Sequence, residues 1–202
     1  MAMSPAHVLE PTYQAIKRRL MRGEWAGGTR LESARIAEEL GVSLTPVRDS
    51  LSRLAGEKMV DFAPGEGFHV HRLTATELRD MLELNLILLL AAIATGRSRQ
   101  GDALPAPNEG THRIAALFHD VGRRSGNAEL AAAVAALNDR LHVARRFDVV
   151  VLGETGPEIK DIEAALDSAS GPGAARNLIL RYHERRAQEA DSFARLLAGS
   201  AP

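Results

Sequence analysis

The stretch 33–71 changes from helical to strand-like spacing of its apolar residues, and this change most constrains the fold. Two short helical patterns are joined by the four-residue turn Gly41–Leu44. Two strand-like runs, 59–62 and 68–71, then flank the glycine-rich segment 63–67. A helix precedes this set, so the order predicts a winged helix-turn-helix with three helices and a two-stranded wing.

Capping residues set the limits of these helices. The first pattern begins around Tyr13 and stops near Gly23. Ser33 and Ser43 are suited to cap the second and third helices, because a serine oxygen accepts the free N–H groups of a first turn. Gly41 is suited to end the second helix.

From Thr74 onward all patterns are helical. Thr74 followed by Glu77 has capping-box spacing, Asn127 is predicted to be a helix cap, and the last helix is predicted to continue through Phe193. The run 86–94 is apolar nearly all round, as in the centre of a bundle or a subunit interface. We therefore predict a mainly α protein, with a DNA-binding domain at 8–72 and an all-α bundle at 73–199.

Composition excludes several classes of protein. The 202-residue chain has no cysteine, which removes disulfides, cysteine–zinc sites and thiol catalysis. The longest apolar run is too short to span a membrane, and 1–10 has no signal-peptide core, so we expect a cytoplasmic protein without a membrane partner. The formal net charge is −1. Binding to DNA would therefore depend on a few well-placed arginines.

The second helix of a helix-turn-helix enters the major groove with its N-terminal residues nearest the bases. Serine and threonine hydroxyls bind phosphate, arginine binds guanine or phosphate, and glycine lets a wing approach the minor groove. The predicted DNA-contacting residues are Arg35, Ser43, Leu44, Thr45, Arg48, Gly67 and His69.

The segment 31–70 resembles the winged-helix domain of GntR-family transcriptional regulators. The resemblance lies in Ile36-Ala37, Leu40-Gly41-Val42-Ser43, Thr45-Pro46-Val47-Arg48, Leu51 and Leu54. The family usually has arginine before the Thr-Pro pair, where this chain has Leu44. The resemblance therefore implies double-stranded operator DNA as the partner, with an operator that differs from the common family type or with weaker binding.

Residues 73–199 resemble the FCD ligand-binding domain of the FadR subfamily, through Phe118-His119, Ser125-Gly126-Asn127 and the segment ending at His183. Such domains usually hold a metal, and the resemblance places its ligands at 115, 119, 159 and 183. Here Ala115 and Ile159 replace two of them. His119 and His183 remain as weak metal candidates, with His112 as a distant addition, so we expect no metal cofactor.

An effector site is implied by the same resemblance, with Asn85, His119 and His183 as its polar groups. The family's arginine is replaced by Asn85, which implies an effector less anionic, bulkier or more apolar than a small organic acid. The alternative is that His119 and His183 are buried histidines with satisfied hydrogen bonds and no ligand.

The combined interpretation is a homodimeric transcriptional regulator, most simply a repressor, whose operator affinity changes when a small molecule binds the bundle. Two alternatives stay open: a degenerate regulator without effector or metal, and a metal-dependent hydrolase built on His119 and His183. The second lacks a nucleophile and a carboxylate pair, so we do not expect an enzyme.

Overall fold

The computed structural model describes residues 5–96, 113–168 and 173–199. The described residues divide into two compact units. The C-terminal unit is Thr74–Leu196, and the N-terminal unit consists of the residues up to Leu73 together with 197–199. Each unit contains its own cluster of buried apolar side chains. Each is therefore described by itself.

The N-terminal unit is a winged helix-turn-helix, as predicted. Its elements are α1 (Pro5–Arg22), β1 (Arg30–Leu31), α2 (Ser33–Leu40), α3 (Leu44–Gly56), β2 (Val60–Ala63) and β3 (Gly67–Val70). The strands form an antiparallel sheet in the order β1-β3-β2. Apolar side chains at helical spacing on α1, α2 and α3 meet in one core, which includes Tyr13, Ile16, Leu20, Ile36, Val47, Leu51 and Leu54.

Two local expectations differ from the structure. The wing has a third strand, β1, whose two residues pair with His69 and Phe68 and are too few to give a sequence pattern. Ser33 is the first residue of α2 rather than its cap, because the extended backbone before the helix is that of Glu32. Gly41 ends α2 as predicted, with the left-handed φ of 64° that glycine adopts readily.

From Thr74 onward the described residues are helical. The helices are α4 (Ala75–Thr95), α5 (Arg113–Arg124), α6 (Ala128–Arg145), α7 (Asp148–Leu152), α8 (Gly156–Asp167), α9 (Gly173–Gln188) and α10 (Ala190–Gly199). The predicted capping box is present, since Thr74 and Glu77 bond each other's backbone N–H. The Asn127 side chain caps α6, as predicted, by accepting from the N–H groups of Glu129 and Leu130.

One prediction about the later helices was wrong, and one short helix was not predicted. The last helix is interrupted at Glu189, so α9 and α10 are separate. The short helix α7 was not predicted. The predicted loop at 100–109 lies outside the described residues, as does most of the one at 170–173.

None of the helices in the described ranges combines the length and apolar character needed to cross a bilayer.

The single tryptophan of the chain, Trp25, belongs to the N-terminal unit. It is partly buried against that unit's core, and the guanidinium of Arg19 lies 4.4 Å from the centre of its ring. The cation thus covers one face of the indole.

Candidate nucleic-acid interface and buried polar cluster

The first turn of α3 presents exposed side chains to solvent. Ser43 is the N-cap residue, but its side chain makes no capping hydrogen bond. Leu44, Thr45 and Arg48 are exposed, with Leu44 at 36%. Within the described part of the chain, Arg48 makes no ion pair. The turn therefore presents two hydroxyls, one free cation and the positive end of the helix dipole.

Arg35 is exposed on α2, where it was expected to contact the DNA backbone. Its Nε lies 2.9 Å from Glu39 at the next helical turn. Glu39 also binds Arg19 at 2.7 Å, and hydrogen bonds from the two arginines lower the pKa of the Glu39 carboxyl. Arg35 thus reaches a phosphate only in competition with Glu39, whereas no acid of the described ranges pairs with Arg48.

The wing carries Gly67 and His69 as predicted. Gly67 has a φ of 93°, and a Cβ built there would meet open space, so glycine is required by the backbone rather than by crowding. His69 is half-buried between Arg30 on β1 and Asp61 on β2 in the sheet register. Arg30 was not predicted as a site residue; it is an exposed cation on β1, paired in register with His69 of the wing.

The opposite end of α3 is held against α1. The Tyr13 hydroxyl lies 2.7 Å from Glu57, and the Lys17 ammonium lies 2.9 Å from the same carboxylate. The Arg53 guanidinium stacks over the Tyr13 ring at 3.6 Å. Burial acts to raise the pKa of Glu57, but the bonds from Tyr13 and Lys17 outweigh it and lower the pKa. These contacts fix the orientation of α3 without using its exposed first turn.

In the C-terminal unit the structure brings Asn85 and His183 together. Both are buried, and His183 Nε2 lies 3.0 Å from Asn85 Oδ1. His183 Nδ1 donates to the Ile179 carbonyl at 2.7 Å. Burial lowers the pKa of His183 to about 3, and the charges of Arg145 and Arg186 act in the same direction. His183 is therefore neutral near pH 7. With the ring proton on Nδ1, Nε2 can only accept a hydrogen bond. Asn85 donates that bond when its side-chain amide is oriented with the NH₂ group, instead of the oxygen, toward the ring.

His119 does not share in this cluster. It is exposed on α5, although the adjacent Phe118 is fully buried, because successive helical residues point about 100° apart. His119 and His183 therefore do not line one site, contrary to the prediction.

The residues at positions 115, 119, 159 and 183 do not form the metal site that the resemblance to FCD domains implies. Ala115 and Ile159 carry no ligand atoms, and both nitrogens of His183 already have partners. Among the described residues no three His, Cys, Asp or Glu side chains converge on a metal position. His112 lies outside the described residues.

Arg145 on α6 is a buried arginine that was not predicted as a site residue. Its Nη1 donates to Asn138 at 3.0 Å and its Nε donates to the Tyr182 hydroxyl at 3.2 Å. Asn138 in turn donates to the Ala115 carbonyl at 3.1 Å. A signal existed: Arg145 lies four residues after Leu141 and seven after Asn138, which places it on the buried stripe of α6.

The chain is similar in sequence to known proteins over part of its length. Residues 10–70 match the family model described as bacterial regulatory proteins, gntR family. The chain is similar to the HTH-type transcriptional regulator McbR of Escherichia coli, 34% identical over 79 residues, or 39% of this chain and 36% of the relative. It is also 26% identical to the Nta operon transcriptional regulator of Aminobacter aminovorans over 144 residues, or 60% and 65% of the two chains. The chain thus spans less than two thirds of either relative.

Two solved structures share the fold over most of this chain. E. coli McbR/YncC has a TM-score of 0.64 at 19% identity, with 95% of this chain and 99% of that chain covered. A GntR transcriptional regulator from Rhodococcus sp. RHA1 has a TM-score of 0.72 at 16% identity, with 96% and 99% covered. At these identities the likeness shows the fold.

Proposed function

Because residues 10–70 form a winged helix-turn-helix domain of the gntR family, we propose that the chain is a transcriptional regulator that binds operator DNA and responds to a small molecule. The observation that carries the proposal is the exposed first turn of α3, where Arg48 makes no ion pair with any residue that the structure describes. The named relatives and structural neighbours are regulators rather than enzymes. Residues 8–72 would bind the DNA and 73–199, an FCD-like bundle, would bind the effector and a second copy.

Sequence-specific contact would come from α3 and the wing. Arg48 in the major groove can bind a guanine in bidentate fashion, while Ser43 and Thr45 bind phosphates. Leu44 adds an apolar contact of the kind that suits a thymine methyl group. Gly67, His69 and Arg35 would contact the minor groove and backbone around this central contact.

Selection of fragments from host DNA tests this assignment. The purified chain should enrich a few short palindromes, and Arg48→Ala should lower affinity for them about 5–150-fold, the equivalent of one bidentate base contact. Arg18→Ala is the matched control, since it removes the same charge from an exposed position on α1. Equal loss in both variants would mean that only net charge matters, and would contradict readout by α3.

A two-fold dimer is the expected form, since palindromic sites require two matched readers. Leu84 and Ile87 support it, because they lie one turn apart on α4 and are 49% and 54% exposed. Ile87→Glu should give a monomer in sedimentation equilibrium. Val149→Glu, at a 68% exposed apolar position on α7, should leave the mass unchanged. A dimer that survives Ile87→Glu would place the contact elsewhere.

A further inference from the structure

We propose that Asp49 on α3 selects a cytosine in each half of the operator, by accepting a hydrogen bond from the N4 amino group of that base in the major groove. The inference rests on the proposed function, because it names a base that α3 would read. It adds a specificity-determining residue to the DNA-contacting residues that the sequence predicts.

Asp49 lies on the same exposed face of α3 as the residues proposed to contact DNA. The buried residues of α3 are Val47, Ser50, Leu51 and Leu54. The exposed residues at the helical spacing i, i+3, i+4 and i+7 are Thr45, Arg48, Asp49 and Ser52. When this face enters the major groove, Asp49 therefore approaches the base edges together with Arg48.

Asp49 does not form the ion pair that its position on the helix would allow. Arg53 lies four residues later, and an acid four residues before a base is a favourable helical pair. Other groups hold Arg53 instead. Its Nη1 lies 2.8 Å from Glu10 and its Nε lies 3.3 Å from Glu57. Its guanidinium carbon is 3.6 Å from the centre of the Tyr13 ring. Among the residues that the structure describes, Asp49 has no ion pair, so its carboxylate is available to a ligand.

A carboxylate in the major groove is selective because both of its oxygens are acceptors. It is repelled by phosphates, by N7 and O6 of guanine and by O4 of thymine, which are acceptors as well. The donors there are the amino groups of adenine and cytosine. Adenine has the acceptor N7 beside its amino group, whereas cytosine offers N4 without a neighbouring acceptor. Cytosine is therefore the base that the Asp49 carboxylate favours.

Arg48 and Asp49 should read different base pairs. Successive residues of a helix point about 100° apart, so the two side chains leave α3 in different directions. Their charges are opposite, and guanine offers acceptors where cytosine offers a donor. Each half-site should therefore contain a guanine bound by Arg48 and, at another position, a cytosine bound by Asp49.

The test uses the full-length protein and the sequences that it selects from host DNA. The position assigned to Asp49 is the one at which sequences selected by the wild type and by Asp49→Ala differ. At this position the C·G pair is then replaced by U·A in both half-sites. Uracil presents an acceptor in place of the cytosine amino group, and it adds no methyl group for Leu44 to contact.

The wild type should bind the U·A operator about 5-fold or more weakly per half-site, the usual cost of one mismatched base pair. Asp49→Ala should bind the two operators equally. Asp49→Asn should change the preferred base from cytosine to adenine, because an amide can bond N6 and N7 of adenine together. Asp49 is exposed, so both variants should keep the circular dichroism spectrum of the wild type.

Glu38→Gln is the matched control, since it removes the same charge from an exposed position on α2. It should keep the preference for cytosine. Equal loss of that preference in Glu38→Gln and Asp49→Ala would show an effect of net charge alone and would overturn the inference.

Three further results would remove the inference and leave the proposed function. The first is selection of the same sequences by the wild type and Asp49→Ala. The second is equal binding of both operators by the wild type. The third is a uniform rise in the affinity of Asp49→Ala for every sequence, which would mean that the carboxylate only repels phosphates. If the wild type selects no sequence at all, the proposed function and this inference are both wrong.

Discussion

Lowering the pH from 7.5 to 5.0 should destabilise the C-terminal unit through His183. Its pKa is about 3 in the folded chain and returns to the ordinary 6.5 on unfolding. Between these values the unfolded chain binds a proton that the folded chain excludes, so stability is lost as the pH falls below 6.5. At pH 5.0 the unfolded imidazole is 1.5 pH units below its pKa. At about 1.4 kcal/mol per unit, the loss is about 2 kcal/mol.

The groups responsible surround the ring on several helices. Arg145 on α6 and Arg186 on α9 are fixed positive charges, Asn85 on α4 is neutral, and the Ile179 carbonyl takes the Nδ1 proton. Only the carbonyl bond favours a proton on the ring. Burial and the two guanidinium groups outweigh it.

Urea unfolding followed by far-ultraviolet circular dichroism, with a chelator present, measures the effect. The wild type should lose about 2 kcal/mol more than His183→Gln between pH 7.5 and 5.0, because all other titrating groups are common to both. Equal losses would refute the reasoning. Should the variant not fold, the His183 imidazole resonances of the wild type provide the answer, since they should not shift over this pH range.

Three further outcomes follow from contacts described above. Thr74→Ala should cost about 1 kcal/mol of unfolding free energy by removing the capping box, while Thr76→Ala, at the second residue of α4, should not carry this loss. Arg186→Leu should cost about 3–5 kcal/mol in the same urea assay, since it leaves Asp148 buried and unpaired, and Asp148→Asn in that background should recover part of it. His119→Ala should change stability by less than about 0.5 kcal/mol, and a larger loss would contradict its exposed position.

The winged helix could be predicted because each of its boundaries has a local chemical cause. Gly41 takes a left-handed φ that ends α2, and Pro46 is tolerated because it lies in the first turn of α3. The strand-like runs 59–62 and 68–71 lie on either side of a segment with two glycines and a proline, which is typical of a turn. Strand β1 could not be predicted, since its two residues extend only because β3 pairs with them.

The polar centre of the bundle was predicted only in part. Asn85 and His183 meet as expected, since both lie on buried faces of α4 and α9. His119 was misplaced because a resemblance, rather than the buried stripe of α5, suggested its position. Arg145 was overlooked because an arginine usually signals a surface, although its spacing from Leu141 placed it inside. The helical spacing of the apolar residues on α6 predicts a buried side chain at position 145, whatever its residue type.

The position of Trp25 makes the N-terminal unit separately observable. Its fluorescence reports that unit alone, so the two units need no added label to be distinguished. A change in the C-terminal unit that moves the Trp25 unfolding midpoint must therefore reach the other unit as a coupling free energy. The difference between the midpoints with and without an occupied bundle gives the size of that coupling. The fluorescence of Trp25 thus measures how strongly an event in the C-terminal unit changes the stability of the N-terminal unit.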